Sequence, residues 1–225
     1  MMAADHFIEM MFQHGWAFDS SCWEKWLQAF PDNVDLLFED RGYYGPVRRV
    51  SFQRQDSFKI VVAHSMGLWW LSESALSQCD RLILLGCFEG LPPEIEGKPL
   101  AFSRSLPRMI RKFREQPLSV LRDFFKYCDC PDFFMENCDL SINLELLMED
   151  LVQLKNNRMD LELLENIPDI LMFHGTQDQI IPLRLGTQLQ QQLSQSQLIL
   201  VPDAGHALPV VLPDVCPHSF LSIIA

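Results

Sequence analysis

The sequence contains little positive charge. Lysine and arginine together number 18, against 30 aspartates and glutamates, so the formal net charge is -12. A general nucleic-acid binder, or a protein anchored on an anionic membrane, needs a basic surface. We therefore predict no nucleic-acid partner, and an acidic partner would have to be recognised by a local basic patch.

The sequence also lacks long apolar runs and a secretory signal. No run approaches the roughly 20 residues of a membrane-spanning helix, and the N-terminus lacks the charged, apolar and small-residue segments of a signal peptide. The 7 cysteines are scattered, and the spacing of Cys128, Cys130 and Cys138 fits no common zinc pattern. We expect a cytoplasmic monomer with reduced thiols, no membrane association, no metal and no cofactor.

Short apolar runs are abundant and are bounded by Gly, Pro or Asp. Six of them have strand length, at residues 7–12, 34–38, 58–62, 82–85, 170–173 and 198–201. Helix-like stretches lie between several of them, at residues 21–30, 66–78 and 183–193. This alternation predicts an α/β fold with an open, mainly parallel sheet of about six strands, in which ligands bind beyond the carboxyl ends of the strands.

The alternation stops between residues 89 and 166, where helical patterns follow one another without a strand. Pro107 and Pro117 fit first-turn positions, and apolar residues recur at helical spacing in the region. We predict a helical cap inserted after the fourth strand. The core would then comprise residues 1–88 and 167–225, and the cap residues 89–166.

Three polar residues each follow a predicted strand. Ser65 stands two residues after Ala63 and two before Gly67, close to the G-x-S-x-G turn that projects a nucleophilic serine above a sheet. Asp178 and His206 follow the fifth and sixth strands, and the order Ser, Asp, His is that of the α/β-hydrolases. We predict these three residues as a catalytic triad, with Asp203 as an alternative acid.

An oxyanion hole requires preorganised N–H donors. Met66 directly follows the nucleophile, and Trp16 lies in the loop after the first strand, so we assign their backbone N–H groups to this role. The Trp16 side chain either walls the acyl pocket or packs at the strand end. His14, His64 and His174 are predicted to have structural roles.

Several motifs together resemble the pimeloyl-acyl-carrier-protein methyl ester esterases of biotin synthesis. They are His14-Gly15-Trp16 and residues 40–45, 65–67, 161–178 and 205–206. The resemblance implies Ser65, Asp178 and His206 as triad, Trp16 and Met66 as oxyanion hole, and hydrolysis of the methyl ester of pimeloyl-acyl-carrier protein. The short stretch between residues 40 and 65 departs from the family and predicts that a helix there is reduced or lost.

A local basic run supports an acyl carrier protein as partner. Residues 98–126 contain eight basic and two acidic side chains, and a basic rim would attract an acidic carrier protein and its phosphate. We predict substrate contacts from Arg108, Arg111, Lys112, Phe113 and Phe125. Further basic residues after the second strand, which we expect on the same edge as the site, are Arg48, Arg49 and Arg54.

Purely structural roles are the alternative for these residues, and other functions are also compatible with the sequence. The basic run is also typical of a solvated helix face, and the phenylalanines are also typical of core packing. An acyl-carrier-protein thioesterase uses the same triad, as does a general short-chain carboxylesterase. A catalytically silent binding module with the same fold is the remaining alternative.

Overall fold

The structure, a computed structural model, describes residues 7–28, 30–31, 33–92, 94–95, 98–99, 101–130, 132–133 and 141–215. The ends of the predicted core (residues 1–6 and 216–225) and parts of the predicted cap, including Cys138, lie outside these ranges. Within the described residues, no helix is long and apolar enough to cross a membrane.

A six-stranded sheet forms the centre of the molecule. The strands are β1 Ile8–Gln13, β2 Val34–Phe38, β3 Phe58–His64, β4 Arg81–Leu85, β7 Ile170–Gly175 and β8 Ser196–Val201. Their order is β2-β1-β3-β4-β7-β8, and every pair is parallel. The predicted parallel sheet is confirmed, and all six carboxyl ends meet at one edge.

The inner strands consist of continuous apolar residues because both faces of the sheet are buried there. Alternate residues of β3 enter different cores: Ile60 and Val62 pack on one face of the sheet, and Val61 and Ala63 on the other. Burying one Val- or Ile-sized side chain contributes roughly 1.5–3 kcal/mol. These two cores fix the register of the strands, and thereby the positions of the residues that follow them.

The helices outside the insertion differ in detail from the predicted ones. Ser20–Gln28 and Ser65–Trp70 are 3₁₀ helices, and the α-helices are α1 Glu73–Ser77, α5 Leu183–Gln192 and α6 Leu208–Val215. The single helix predicted over residues 66–78 is wrong, because Ser72 interrupts it. Ser72 has an extended backbone, and its side chain accepts a hydrogen bond from Ala75 N–H as the N-cap of α1.

The segment after β4 contains helices and one unpredicted hairpin. The hairpin pairs β5 Glu94–Ile95 with β6 Lys98–Pro99, and it is followed by α2 Ala101–Glu115, α3 Pro117–Tyr127, α4 Leu144–Asn156 and the 3₁₀ helix Leu161–Leu164. Pro117 occupies the first turn of α3, as predicted. Pro107 lies inside α2, because this helix begins directly after the hairpin rather than at the proline.

The loop between β2 and β3 contains no helix, as its length predicts, and it holds α4 in place. The buried carboxylate of Asp150 on α4 accepts two hydrogen bonds from the Arg41 guanidinium, at 3.0 and 2.8 Å, and one from the Tyr43 hydroxyl, at 2.6 Å. The hydrogen bond to Asp150 raises the pKa of Arg41, and burial followed by the charge of Asp150 raises that of Tyr43. This ionic contact therefore attaches the insertion to the core.

Replacing Asp150 by Asn should lower the free energy of unfolding by about 3 kcal/mol. Breaking a buried ion pair usually costs about 3–5 kcal/mol. We expect the lower end of this range because the Arg41 side chain is 19% exposed and stays partly hydrated. Denaturant unfolding monitored by circular dichroism measures the change. The matched control is Glu149→Gln at the neighbouring exposed position, and equal losses for the two variants would contradict the anchoring role.

Candidate active site

Ser65 stands at a sharp turn between β3 and the following 3₁₀ helix. Its φ is 54°, a left-handed value that is uncommon for a residue with a side chain. Gly67 makes the turn sterically possible, since a Cβ there would lie 2.5 Å from the carbonyl oxygen of His14 and 2.7 Å from that of Gln13. Ala63 is an ordinary buried residue of β3, paired with Gln13 in the sheet. The predicted turn is present although its first glycine is replaced.

Ser65, His206 and Asp178 form a chain of hydrogen bonds at the carboxyl edge of the sheet. The Ser65 Oγ lies 2.9 Å from His206 Nε2, and His206 Nδ1 lies 2.7 Å from Asp178 Oδ2. The side chains of His206 and Asp178 are 1% and 0% exposed. The three residues predicted as a triad are therefore brought together at contact distance and shielded from water.

The Asp178 carboxylate is held by its own loop. Its Oδ1 accepts hydrogen bonds from Ile180 N–H at 2.9 Å and Ile181 N–H at 2.8 Å, which leaves Oδ2 for His206. The His174 ring contacts Ile181 O at 2.8 Å, so this histidine orders the loop. Because two backbone donors satisfy one oxygen, the carboxylate keeps a fixed orientation toward the imidazole.

The alternative acid, Asp203, has a different environment. It is exposed, has a φ of 57°, and is placed in the turn after β8 by the hydrogen bond between its backbone N–H and the Thr176 hydroxyl. The carboxylate that contacts His206 in the structure is that of Asp178.

His64 and Gly86 lie against His206, and Cys128 lies against the residue that follows it. The ring of His64 lies 4.9 Å from that of His206, and its Nε2 is 3.0 Å from the His206 carbonyl oxygen. Gly86 leaves room for the imidazole, since a Cβ there would approach His206 Nδ1 to 3.3 Å. From the insertion, the Cys128 carbonyl accepts a hydrogen bond from Ala207 N–H at 3.3 Å. Burial, and then the proximity of His206, lowers the pKa of His64 well below its usual value, so His64 is a neutral support.

The two predicted oxyanion donors lie beside Ser65. Met66 N–H is in the first turn of a 3₁₀ helix, where amides have no partner within the helix. Trp16 lies in the loop next to the serine, since a Cβ on the preceding Gly15 would be 2.9 Å from Ser65 Cβ. Within the described part of the chain, neither N–H donates a hydrogen bond, so both are free to bind an oxyanion. The His14 ring contacts Gly15 O and accepts from Arg41 N–H, which orders this loop.

A narrow cavity of about 20 Å³ adjoins Ser65. Its apolar lining is formed by Trp16, Met66, Phe88, Met109, Phe124, Leu151, Leu154, Ile180 and Ile181. The Trp16 ring also packs edge-on against Phe124, with 4.8 Å between ring centroids, and its Nε1 donates to Leu147 O. The Trp16 side chain therefore both lines this cavity and packs against its neighbours, and its role as a wall of an acyl pocket stays a prediction. Most of the other lining residues were not predicted, although Ile180 directly follows the Asp178 loop in sequence.

The predicted substrate contacts lie in different surroundings. Arg108 and Lys112 line a groove of about 520 Å³ that is formed by α2, α3 and the two residues after Asp178. Arg111 is exposed and does not line this groove. Phe113 and Phe125 are core residues that line neither space, packing respectively against Trp16 and Phe18. Assigning these three to substrate contacts is not supported by their positions.

The basic residues after β2 do not form one rim around the site. Arg49 pairs with Glu39 at 2.8 Å. Arg54 pairs with Asp35 at 2.9 Å and lies over the Phe7 ring, which places it at the amino ends of β1 and β2. The expectation that Arg54 shares the edge of Ser65 is wrong, because the loop returns along the sheet before β3 begins.

Among the described residues, no group of three or more His, Cys, Asp and Glu side chains is arranged to hold a metal ion. Cys128 and Cys130 are buried. Burial, and then the charge of Asp178, raises the pKa of the Cys128 thiol well above its usual value.

Comparisons of the sequence with protein-family models and with curated proteins give no match. Solved structures do match. An esterase from Exiguobacterium antarcticum superposes with a TM-score of 0.74 at 16% identity, covering 97% of this chain and 92% of that one. A bromoperoxidase from Bacillus anthracis gives 0.74 at 17% identity, covering 97% and 92%. MenH from S. aureus gives 0.68 at 17%, covering 98% and 94%. At these identities the likeness is one of architecture: the chain has the α/β-hydrolase fold.

The packing of the serine turn gives a stability prediction. Gly67→Ala should lower the free energy of unfolding by about 1–3 kcal/mol, the usual cost of overpacking, because the added methyl would meet two backbone carbonyls. Thermal unfolding measures the effect.

The control for this substitution is Gly45→Ala, at a position where an added Cβ meets no atom within 4 Å. It should change the stability by less than about 0.5 kcal/mol, as is usual for surface substitutions. A Gly67→Ala protein as stable as Gly45→Ala would show that the turn is not packed as described.

Proposed function

We propose that this protein is a serine carboxylesterase, in which Ser65 is the nucleophile, His206 the general base and Asp178 the acid that orients it. The observation that carries the proposal is the pair of hydrogen bonds from His206, 2.9 Å to Ser65 Oγ and 2.7 Å to Asp178 Oδ2. A serine hydroxyl becomes an effective nucleophile when a positioned base removes its proton. The fold shared with the esterases supports the same chemistry.

In the first half of the reaction, His206 Nε2 takes the hydroxyl proton as Ser65 Oγ attacks the ester carbonyl. The Asp178 carboxylate stabilises the imidazolium that forms. The carbonyl π electrons move to its oxygen, and the N–H groups of Trp16 and Met66 bind the resulting oxyanion. Collapse of the tetrahedral intermediate breaks the bond to the alcohol oxygen, which receives the proton from His206.

In the second half, a water molecule attacks the acyl group on Ser65. His206 takes a proton from this water, and a second oxyanion forms between the same two N–H groups. When it collapses, the carboxylic acid is released and Ser65 Oγ recovers its proton from His206.

The assignment of the acid can be tested against the alternative. Asp178→Asn should reduce kcat for p-nitrophenyl acetate by about 10⁴-fold, because the amide favours the wrong imidazole tautomer. Asp203→Asn should leave kcat unchanged, since Asp203 is exposed and asparagine tolerates its left-handed backbone. Initial rates of p-nitrophenol release measure both.

Ser65→Ala serves as the blank in this experiment. It should abolish turnover while circular dichroism shows an unchanged fold. A large loss in Asp203→Asn with an active Asp178→Asn would reverse the acid assignment, and undiminished turnover in Ser65→Ala would remove the nucleophile.

For the natural substrate, we propose the methyl ester of pimeloyl-acyl-carrier protein, with the carrier protein as an acidic partner. The sequence resemblance supports it, as does the groove lined by Arg108 and Lys112. Because the whole chain carries -12, attraction of an acidic carrier and its phosphate would depend on such a local patch. Lys112 is paired with Asp123 at 2.7 Å, so Arg108 is the stronger candidate for a phosphate contact.

Rates with the carrier-bound methyl ester and with free dimethyl pimelate test this substrate. The carrier-bound ester should have the higher kcat/KM, and Arg108→Ala should reduce that preference by about 10-fold, the scale of one charge-assisted contact. Arg114→Ala, an exposed position on α2 outside the groove, is the matched control.

Three results would contradict the carrier-protein proposal. They are equal or better turnover of the free ester, equal effects of the two arginine variants, and preferred hydrolysis of the pimeloyl thioester on the same carrier. The last result would identify a thioesterase.

A general short-chain carboxylesterase is the second candidate, and the size of the cavity beside Ser65 favours it. A cavity of about 20 Å³ has room for little more than one water molecule, so a short acyl group would require the least rearrangement. A higher kcat/KM for acetate esters than for esters of every longer acid, with or without a carrier protein, would identify this function.

A further inference from the structure

The groove lined by Arg108 and Lys112 and the cavity beside Ser65 share a wall of side chains. The groove, of about 520 Å³, and the narrow cavity beside Ser65, of about 20 Å³, have three lining residues in common: Met109, Phe124 and Ile180. Met109 belongs to α2 and Phe124 to α3, whereas Ile180 follows Asp178. A side chain that lines two spaces at once forms the wall between them.

The sizes of the two spaces require this wall to move if an ester with a longer acyl chain is to react. The cavity beside Ser65 holds about one water molecule, which is less than the volume of an aliphatic chain. The groove is large enough, and much of its lining is apolar, since Met109, Val120, Phe124 and Ile180 line it together with Arg108 and Lys112.

Two of the three wall residues are fixed. Phe124 packs edge-on against Trp16, at 4.8 Å and 87°. The backbone of Ile180 is held by the hydrogen bond from its N–H to Asp178 Oδ1, and its side chain is buried. Met109 is only partly buried at the edge of the core. Methionine is unbranched and has three rotatable side-chain bonds, so Met109 is the wall residue that can turn aside without disturbing Trp16 or Asp178.

We propose that Met109 is a gate that determines the length of acyl chain accepted by the site. When closed against Phe124 and Ile180, it separates the groove from Ser65; when turned away, it lets an aliphatic acyl chain lie in the groove with its ester carbonyl at Ser65. This inference rests on the proposed esterase function and names the side chain that selects among its substrates.

Chain-length profiles of wild type and Met109→Ala test the gate. For p-nitrophenyl esters, the ratio of kcat/KM for octanoate to that for acetate should rise about 10-fold in Met109→Ala, the discrimination expected from one or two methylene groups in an apolar pocket. Met148→Ala is the matched control. Met148 is also partly buried against the same core, but it lies on α4 and lines neither space, so its ratio should equal that of wild type.

Ile180→Val provides a second, milder opening of the same wall, which serves if Met109→Ala proves unstable; such a substitution usually costs only about 0.5–1.5 kcal/mol. It should raise the ratio in the same direction. An unchanged ratio in the folded variants, or an equal rise in Met148→Ala, would overturn the gate.

A series of acetate esters with lengthening alcohols separates acyl from alcohol selection. If Met109→Ala changes this alcohol series and not the acyl series, the groove binds the alcohol and the acyl assignment is wrong. If wild type hydrolyses p-nitrophenyl acetate, and Met109→Ala and Ile180→Val have the same acyl-chain profile as wild type, the gate proposal is wrong while the esterase proposal stands. If wild type hydrolyses none of the esters, the proposed function fails and the gate with it.

Discussion

The turn at Ser65 is the constraint on which the site depends. A strand buried on both faces delivers this residue to the carboxyl edge of the sheet, and the backbone must then reverse within two residues, with φ of 54° at Ser65. It can do so because Gly67 lies against the carbonyl oxygens of Gln13 and His14. The same close approach brings the loop of Trp16 beside the serine. This steric contact therefore brings the Ser65 hydroxyl and the backbone N–H groups of Trp16 and Met66 to the same place on the edge of the sheet.

Much of this arrangement could be predicted from the sequence because it depends on local patterns and on sheet geometry. The strands are short apolar runs between Gly, Pro and Asp, and their bounds agree closely with the structure. Once the strands are known to be parallel, polar residues that follow them must share one edge. Ser65, Asp178 and His206 are such residues, so their proximity follows from the fold. Their hydrogen-bond distances do not, since these depend on how Ile180 and Ile181 hold the carboxylate.

The features that sequence patterns did not predict depend on tertiary packing. A 3.6-residue period continues past Ser72, yet the capping bond of this residue ends one helix and begins another. Helical spacing likewise cannot distinguish Phe113, which is buried in the core, from Phe124, which also lines both spaces near the serine. The pair of Arg41 and Asp150 joins residues more than one hundred positions apart. In each case the side-chain environment is supplied by a distant segment, which a local pattern does not encode.

The central claim is that Ser65 is an activated nucleophile held by His206, and covalent labelling tests it directly. The intact protein should be incubated with a fluorophosphonate, which forms a stable bond with a serine oxygen that has lost its proton to a neighbouring base. Mass spectrometry of the digested protein then locates the adduct. We expect one adduct per chain, on Ser65, with none after His206→Ala. An unlabelled wild-type protein, or an adduct located on a different residue, would contradict it.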